Sequence, residues 1–377
     1  MRVVFIARYL QMVNHRKVLA LAAQPGLELW HVAPRRWTDS FRTYEQELSQ
    51  GRGYHLLLAD AFPLRDDSHR FIYRPPTLYL NRILPDVIHI EEEPDSLAAL
   101  EAAVARRIWA PSARLVLFTW QNVRRTRHAA VERIARYVLR RTDHVIAGNR
   151  EAIEVLQQQG YTGPATVIPQ LGVDTSIFRP RDDAASLRSE LGLNGFVTGY
   201  VGRFVQEKGL DVLLKAAARM QDSRVLLIGR GPLQAEIETM AESLGMRQRL
   251  TILPALPHQD VPRYLTALDV LVLPSRTTAW WKEQFGHVLI EAMACGTPVV
   301  GSDSGAIPEV IGTAGLVFPE GDADALAQRL QALAHGPDQR ARLIRLGSAR
   351  VAQHYTHERI AEQTARVYES LARPSRP

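Results

Sequence analysis

The chain has 377 residues, 46% of them hydrophobic and 23% charged, with a formal net charge of +6. These values exclude a disordered, collagen-like or fibrous chain and predict about two domains, each long enough to bury its own core. A single cysteine, Cys295, excludes an internal disulfide and a thiolate zinc site, and points to a reducing, cytoplasmic compartment.

The first apolar run, Val3 to Ala7, is bounded by Arg2 and Arg8. It is too short for a signal-peptide core and reads as a buried strand. No later run approaches the ~20 apolar residues of a membrane span, so the expectation is a soluble or at most peripheral protein. The runs LELWHVA (27–33), YHLLLA (54–59), DVIHI (86–90), RLVLFT (114–119), DHVIAG (143–148) and ATVI (165–168) read as further strands. Amphipathic segments at 96–108, 129–140 and 150–159 separate several of them. Such alternation predicts βαβ units and a parallel sheet covered by helices on both faces.

The stretch IPQLGVDTSIFRPRDD (168–183) carries no period and marks a junction. Beyond it the alternation restarts with FVTGYVG (196–202), RVLLIG (224–229), LTIL (250–253), DVLVLP (269–274), PVVGS (298–302) and GLVFP (315–319). Helical segments at 210–220, 233–244 and 287–294 lie between, and one more amphipathic helix spans 358–371. The expectation is α/β: two doubly wound domains, 1–172 and 185–355. Ligands of open α/β sheets bind at the carboxyl ends of the strands, so the expected site is the cleft between the domains.

Charge is unevenly distributed. Between Arg106 and Arg150 there are eleven arginines against Glu132 and Asp143, a surplus of nine. One reading is a surface that holds anionic lipid or an acidic acceptor. The other is a solvated helix face in an arginine-rich chain, since only four of the 46 basic residues are lysine.

Two segments carry the chemistry. In GYVGRFVQEKGL (199–210) a strand ends at Gly202, and Arg203 and Lys208 follow in the connection to the next helix. Two cations beside a helix start and a close backbone approach make a diphosphate cradle; exposed, solvated charges are the alternative. In WKEQFGHVLIEAMACG (281–296), Glu283 lies in a loop and Glu291 on the helix opened by Phe285 and Gly286. Each carboxylate can grip vicinal hydroxyls, and the free amides of the first turn suit an anion or a hydroxyl. The alternative for the two glutamates is capping and solvated charge.

GRFxxxKG followed by E-x7-E, with VLPS (272–275), EAMACGTPVVGSDSGAIPEVI (291–311) and VFPEGDADAL (317–326), resembles the family 4 retaining glycosyltransferases. HVIAGNREAIEVLQQQGY (144–161) and VIPQLGVDTSIFRP (167–180) resemble the end of that family's N-terminal domain. The resemblance implies a GT-B fold, two Rossmann-like domains facing across a cleft, with the last helix packing back onto an acceptor-side N-terminal domain. It implies transfer of a hexose from a UDP- or GDP-sugar, without a metal, to a sugar-containing or lipid-linked acceptor, with no nucleic-acid partner. Arg203 and Lys208 would neutralise the diphosphate beside Gly202. Glu291 would bind the ribose and Glu283 the transferred sugar. The backbone near Phe285, Gly286 and His287 would hold its hydroxyls or the β-phosphate. Electrostatic stabilisation of the departing diphosphate would carry most of the rate. A non-catalytic sugar-nucleotide or polysaccharide-binding module is the rival class, and an inverting transfer with His15 or Glu91 as base is the rival mechanism.

The sequence departs from that family in its first half. Asn14-His15 replaces a common Gly-Gly pair, and His15 is expected either to face the cleft or to serve as a plain helix N-terminal residue. Gln121, followed by Asn122, stands where a histidine is common; an amide hydrogen-bonds a sugar hydroxyl but is no base. HIEEEP (89–94) puts three carboxylates at a strand end, and Glu91 or Glu92 is expected to bind acceptor hydroxyls. Asp322-Ala323-Asp324 reads as a helix cap rather than a metal site. Gly229-Arg230-Gly231-Pro232 lacks the third glycine of a dinucleotide fingerprint. Cys295 reads as a buried structural thiol.

Overall fold

The computed structural model describes residues 1–10, 12–38, 43–45, 53–63, 71–74 and 79–372. Gln11, in the connection after the first strand, lies outside them. The chain divides into two compact units, residues 1–172 with 357–377, and residues 173–356.

In the first unit the elements run β1 (Arg2–Ile6), α1 (Met12–Ala22), β2 (Glu28–Pro34), β3 (Arg36–Thr38), β4 (Thr43–Glu45), β5 (Tyr54–Ala59), β6 (Ala61–Pro63) and β7 (Phe71–Tyr73). Then come α2 (Leu80–Ile83), β8 (Val87–Ile90), α3 (Leu97–Trp109), β9 (Arg114–Thr119), α4 (Ala129–Leu139), β10 (His144–Ala147), α5 (Arg150–Gln158) and β11 (Ala165–Val167). Seven strands form one sheet in the order β11-β10-β9-β8-β1-β2-β5, paired in parallel throughout. The short pairs β3-β4 and β6-β7 are antiparallel. Three-residue strands have too short a period to be read in sequence, and the apolar pattern did not announce them.

Consecutive strand residues point to opposite faces, so a sheet covered on both sides needs apolar residues at every position. Val4 and Ile6 pack in one buried cluster with Ala98, Ala99 and Ala102 of α3. Val3 and Phe5 pack in the other, with Ile360 and Tyr368. The last two belong to α14 (His357–Leu371), which returns to this unit and lies beside α1. The Tyr368 hydroxyl is 2.6 Å from His89 Nδ1 in the middle of β8. Helix starts are set by side-chain caps: Ser96 Oγ accepts from Ala99 N at 3.1 Å, and Asn149 Oδ1 from Ala152 N at 2.8 Å.

The second unit contains α6 (Ala184–Glu190), β12 (Phe196–Val201), α7 (Leu210–Ala218), β13 (Ser223–Ile228), α8 (Gln234–Ser243) and β14 (Leu250–Leu253). It continues with α9 (Val261–Thr266), β15 (Val270–Leu273), α10 (His287–Ala294), β16 (Val299–Ser302), α11 (Ile307–Ile311), β17 (Leu316–Phe318), α12 (Ala323–His335) and α13 (Pro337–Arg350). Its six-stranded parallel sheet has the order β14-β13-β12-β15-β16-β17. The chain moves outward from β12 in one direction through β13 and β14, then in the other through β15 to β17. The carboxyl ends of β12 and β15 therefore flank the point where the strand order reverses. Connections there diverge to opposite sides and leave a crevice for a ligand. Both units are doubly wound Rossmann-like α/β domains.

Candidate active site

The loop after β12 is fixed from beneath. Tyr200 Oη donates to the Arg203 carbonyl at 2.8 Å, and Phe204 is fully buried. Its two cations differ in setting. The Arg203 side chain is 60% exposed, with Glu207 3.9 Å away. The Lys208 side chain is only 14% exposed. Its Nζ donates to Glu283 Oε2 at 2.5 Å and lies 4.7 Å from the centre of the Trp281 ring. The alternative of exposed, solvated charges thus describes Arg203 but not Lys208, which the carboxylate and the indole enclose.

Glu283 is held by three elements. Ser275, buried just beyond β15, donates its hydroxyl to Glu283 Oε2 at 2.8 Å, beside the Lys208 ammonium. The Glu283 carbonyl accepts from Ala306 N at 2.9 Å, just before α11. That approach requires glycine at 305. Gly305 has φ +53°, and a Cβ there would stand 2.1 Å from the Glu283 carbonyl oxygen. The loop preceding Glu283 turns on Thr278, whose N donates to the Trp281 carbonyl at 2.8 Å and whose Oγ1 accepts from Trp281 N at 3.0 Å.

Glu291 sits on α10, whose N-cap is Gly286 in the left-handed region at φ +82°. Gly286 turns the backbone so that the amides of His287 and Val288 lead the helix. Phe285 is buried, its ring 4.9 Å from the half-buried His287. Desolvation holds the His287 imidazole below its ordinary range. Glu291 Oε1 lies 2.9 Å from His258 Nε2. The Glu291 hydrogen bond raises the His258 pKa above 6.5, against the opposing effect of desolvation. Sequence reasoning missed His258 and Ser275. Ser275 was legible only as the last letter of VLPS, and nothing in PHQD (257–260) ties His258 to a glutamate 33 residues away. A cavity of about 330 Å³ adjoins the ends of β13 and β14, lined by Gly229, Arg230, Gln234, Ile252, Leu253 and Pro254 among others.

The first unit treats its candidates differently. His15 is fully buried within α1, Nε2 2.8 Å from the Tyr9 carbonyl and Nδ1 3.4 Å from Tyr54 Oη. The expectation that it is presented to a ligand gives way to a core position. Glu91 is buried too: its carboxylate accepts from Lys17 Nζ, Tyr9 Oη and Gln170 Nε2, the last at 3.1 Å. Burial drives the Lys17 ammonium pKa down, and Glu91 holds it up. Glu92 forms a two-point pair with Arg8 Nε at 2.6 Å and Nη2 at 3.1 Å. Burial nevertheless raises its pKa, opposed by Arg8. Glu93 accepts from Thr119 Oγ1 at 2.5 Å and Trp120 N at 2.9 Å. The three consecutive carboxylates thus each tie a strand end to its neighbour. Glu91 and Glu92, expected on the acceptor side, are both buried and hold partners within the chain. Gln121 is buried with Nε2 donating to the Val123 carbonyl at 3.3 Å, and Asn122 Nδ2 donates to Glu151 Oε2 at 3.1 Å.

Asp322 caps α12, Oδ1 accepting from Asp324 N and Ala325 N, both at 2.9 Å. Asp324 pairs with Arg219. Cys295 is buried, and burial pushes its thiol up to about 12, far from a thiolate nucleophile. Among the described residues no group of three or more His, Cys, Asp or Glu is placed to hold a metal ion. No helix among them is long and apolar enough to cross a membrane.

Residues 185–350, nearly all of the second unit, match the family model described as glycosyl transferases group 1. A curated relative named D-inositol 3-phosphate glycosyltransferase, from Mycobacterium sp. (strain JLS), is 34% identical over 212 residues, 53% of this chain and 47% of that protein. One of the same name from Mycobacterium tuberculosis (strain F11) is 31% identical over 238 residues, 59% of this chain and 48% of that protein. The chain spans about half the length of the curated relatives it matches. A sucrose-phosphate synthase from Thermosynechococcus elongatus superimposes with TM-score 0.73 at 24% identity, covering 98% of this chain and 99% of that one. Anabaena HepE in complex with UDP gives 0.74 at 20% identity, covering 98% and 100%. The fold is shared with these GT-B proteins over 98% of the chain.

Proposed function

We propose that this chain is a retaining glycosyltransferase of family 4 that moves a hexose from a nucleotide-diphosphate sugar to an acceptor hydroxyl. The observation that carries the reading is the Lys208–Glu283–Ser275 cluster at the β12/β15 reversal point, with Arg203 exposed beside it. It lies within the span that matches the group 1 model. The 34% identical relative bears the name of a glycosyltransferase, and a solved neighbour was determined with UDP-glucose.

Arg203 and Lys208 take the diphosphate. An ammonium has three donor hydrogens, so Lys208 can keep Glu283 while donating to a phosphate oxygen. Negative charge builds on that diphosphate as the bond to the sugar breaks, and cations fixed in place beforehand stabilise it without reorganising. We assign the charge neutralisation to these two side chains rather than to a metal. Glu283 accepts from hydroxyls of the transferred sugar, held in register by Ser275 and Lys208. The leading amides of α10 meet a phosphate or sugar oxygen. Glu291 binds the ribose, and His258 sets the direction of its carboxylate. The first unit contributes acceptor binding. With one buried cysteine and no internal disulfide, we place the protein in the cytoplasm.

The test is a thermal-shift screen of UDP, GDP, ADP and their sugars, uridine nucleotides first. Ligands of the native state raise the melting temperature by mass action. Donor turnover with the nucleotide that binds, and the anomeric configuration of the product by NMR, decide between retaining transfer, inverting transfer and a binder without turnover. Binding without turnover over a panel of acceptors overturns the enzymatic reading. An inverted anomer overturns retention alone.

A further inference from the structure

Four of the six large hydrophobic side chains exposed among the described residues sit in one part of the first unit. They are Leu84 (60% exposed), Val104, Ile108 (60%) and Trp109 (52%). Leu84 follows α2 and precedes β8, and the other three occupy the last turns of α3, just before β9. The amino ends of β8 and β9 are joined there, Arg114 N donating to the Asp86 carbonyl at 2.8 Å. The four side chains thus cluster toward the amino-terminal end of the sheet, opposite the end that carries Glu91, Glu92 and Gln121.

Exposed cations stand at the same end. Arg106 of α3 clamps the end of α4, donating Nη1 to the Arg141 carbonyl at 2.7 Å and Nε to the Ala113 carbonyl at 2.6 Å. Asp143, the nearby acid, is already paired with Arg106 at 3.2 Å and Arg114 at 2.9 Å. Arg107 on α3 and Arg133, Arg136 and Arg140 of the α4 segment are exposed, with no ion-pair partner among the described residues. Positions 133, 136 and 140 follow helical spacing and form one stripe. Arg136 lines a cavity of about 150 Å³ with Gln121 and Arg124 toward the other end of the sheet, so the exposed cations at the amino-terminal end are Arg107 and Arg140. Burying aliphatic and aromatic side chains in the core is the general rule for a folded domain. A local group of them left in solvent beside unpaired arginines marks a contact surface.

We propose that this end of the first unit is a docking surface for an anionic lipid bilayer. Leu84, Ile108 and Trp109 enter the interfacial region, and Arg107 and Arg140 face the lipid phosphates. A bilayer interface combines the two chemistries on display: an apolar zone that accepts aliphatic and indole groups, and a negatively charged headgroup layer above it. A nucleic acid would satisfy the arginines and leave Ile108 and Leu84 in water. The surface belongs to the first unit and the Lys208–Glu283 cluster to the second, and no residue is shared, so docking stands or falls independently of the proposed transfer.

The test is co-sedimentation of the full chain with vesicles of phosphatidylglycerol and phosphatidylcholine, and with phosphatidylcholine alone, at low and high salt. The wild type is expected to pellet with the anionic vesicles, strongly at low salt and weakly at high salt, and to stay in solution with the neutral ones. The double variant Ile108→Ser/Trp109→Ser is expected to lose about tenfold or more in vesicle affinity, and Arg107→Glu/Arg140→Glu to lose the salt dependence with it. These side chains are exposed, so melting temperatures are expected to match the wild type. Quenching of tryptophan fluorescence by brominated lipid, reduced in Trp109→Phe, gives a second readout of insertion. Equal pelleting with neutral vesicles, unchanged affinity in the Ile108/Trp109 variant, or affinity for duplex DNA as high as for the anionic vesicles would overturn the proposal.

Discussion

Lys208 and Glu283, 75 residues apart in the chain, meet at 2.5 Å across the ends of β12 and β15 with little solvent around either. A pair in that setting is both part of the fold and part of the proposed chemistry. Breaking it from one side leaves a poorly solvated charge behind.

Arg203→Ala and Lys208→Ala should therefore separate. Both are expected to lower turnover by about 10²–10³ through lost charge stabilisation. Arg203→Ala should leave the melting temperature unchanged, because the side chain is solvated. Lys208→Ala should also destabilise, by about 3 kcal/mol if the exposed rim of Glu283 gives little relief. Parallel kinetics and denaturant melts check this, and equal melting of the two variants would contradict the pairing.

The glutamates should separate by ligand. Glu291→Ala is expected to weaken free nucleoside-diphosphate binding by roughly tenfold, the range of one hydrogen bond to a charged group. Glu283→Ala should bind the free nucleotide nearly as the wild type does and fail in transfer. Isothermal calorimetry with the nucleotide alone reads the difference.

His258 gives a pH signature. Its pKa in the folded protein is raised above 6.5 by Glu291. A raised pKa stabilises the fold in full below the unfolded value, and that contribution is lost as pH rises through the folded value. The melting-temperature gap between wild type and His258→Gln should thus be wider at about pH 5.5 than at about pH 8.5. Glu291→Gln should close the gap, because the charge that holds the proton is gone. A gap independent of pH would refute the charged pair.

Gly305→Ala tests the clamp on Glu283. The new methyl would meet the Glu283 carbonyl oxygen at 2.1 Å on a backbone already at φ +53°. The expected cost is roughly 2 kcal/mol or more, with turnover falling as the carboxylate shifts. Circular dichroism melts and steady-state kinetics suffice.

In the first unit, Lys17→Met should cost about 3–5 kcal/mol by leaving Glu91 uncompensated in the core. The double variant Lys17→Met/Glu91→Leu should recover a large part of that loss. Urea titrations of the single and double variants give the coupling. Additive losses would mean that the two charges do not depend on each other.

The strands of both sheets were legible in the sequence because a parallel strand buried on both faces must be apolar at successive positions, whatever lies beside it. The junction near 168–183, the helix from Leu210 and the glycine opening α10 were legible for the same kind of local reason. Cap and turn chemistry is written within a few residues of where it acts. GRFxxxKG and E-x7-E could be picked out as candidate ligand contacts, and Asp322 as a cap. What they touch could not. The meeting of Lys208 with Glu283, of His258 with Glu291 and of Lys17 with Glu91 depends on which strands become neighbours, and no local period encodes strand order. His15, Glu91 and Glu92 looked like free polar groups at strand or helix ends. Only the tertiary packing that brings α1 and the end of β1 against the end of β8 decided that they are interior. A buried carboxylate must find donors, and the donors came from Lys17, Tyr9, Gln170 and Arg8, up to 84 residues away.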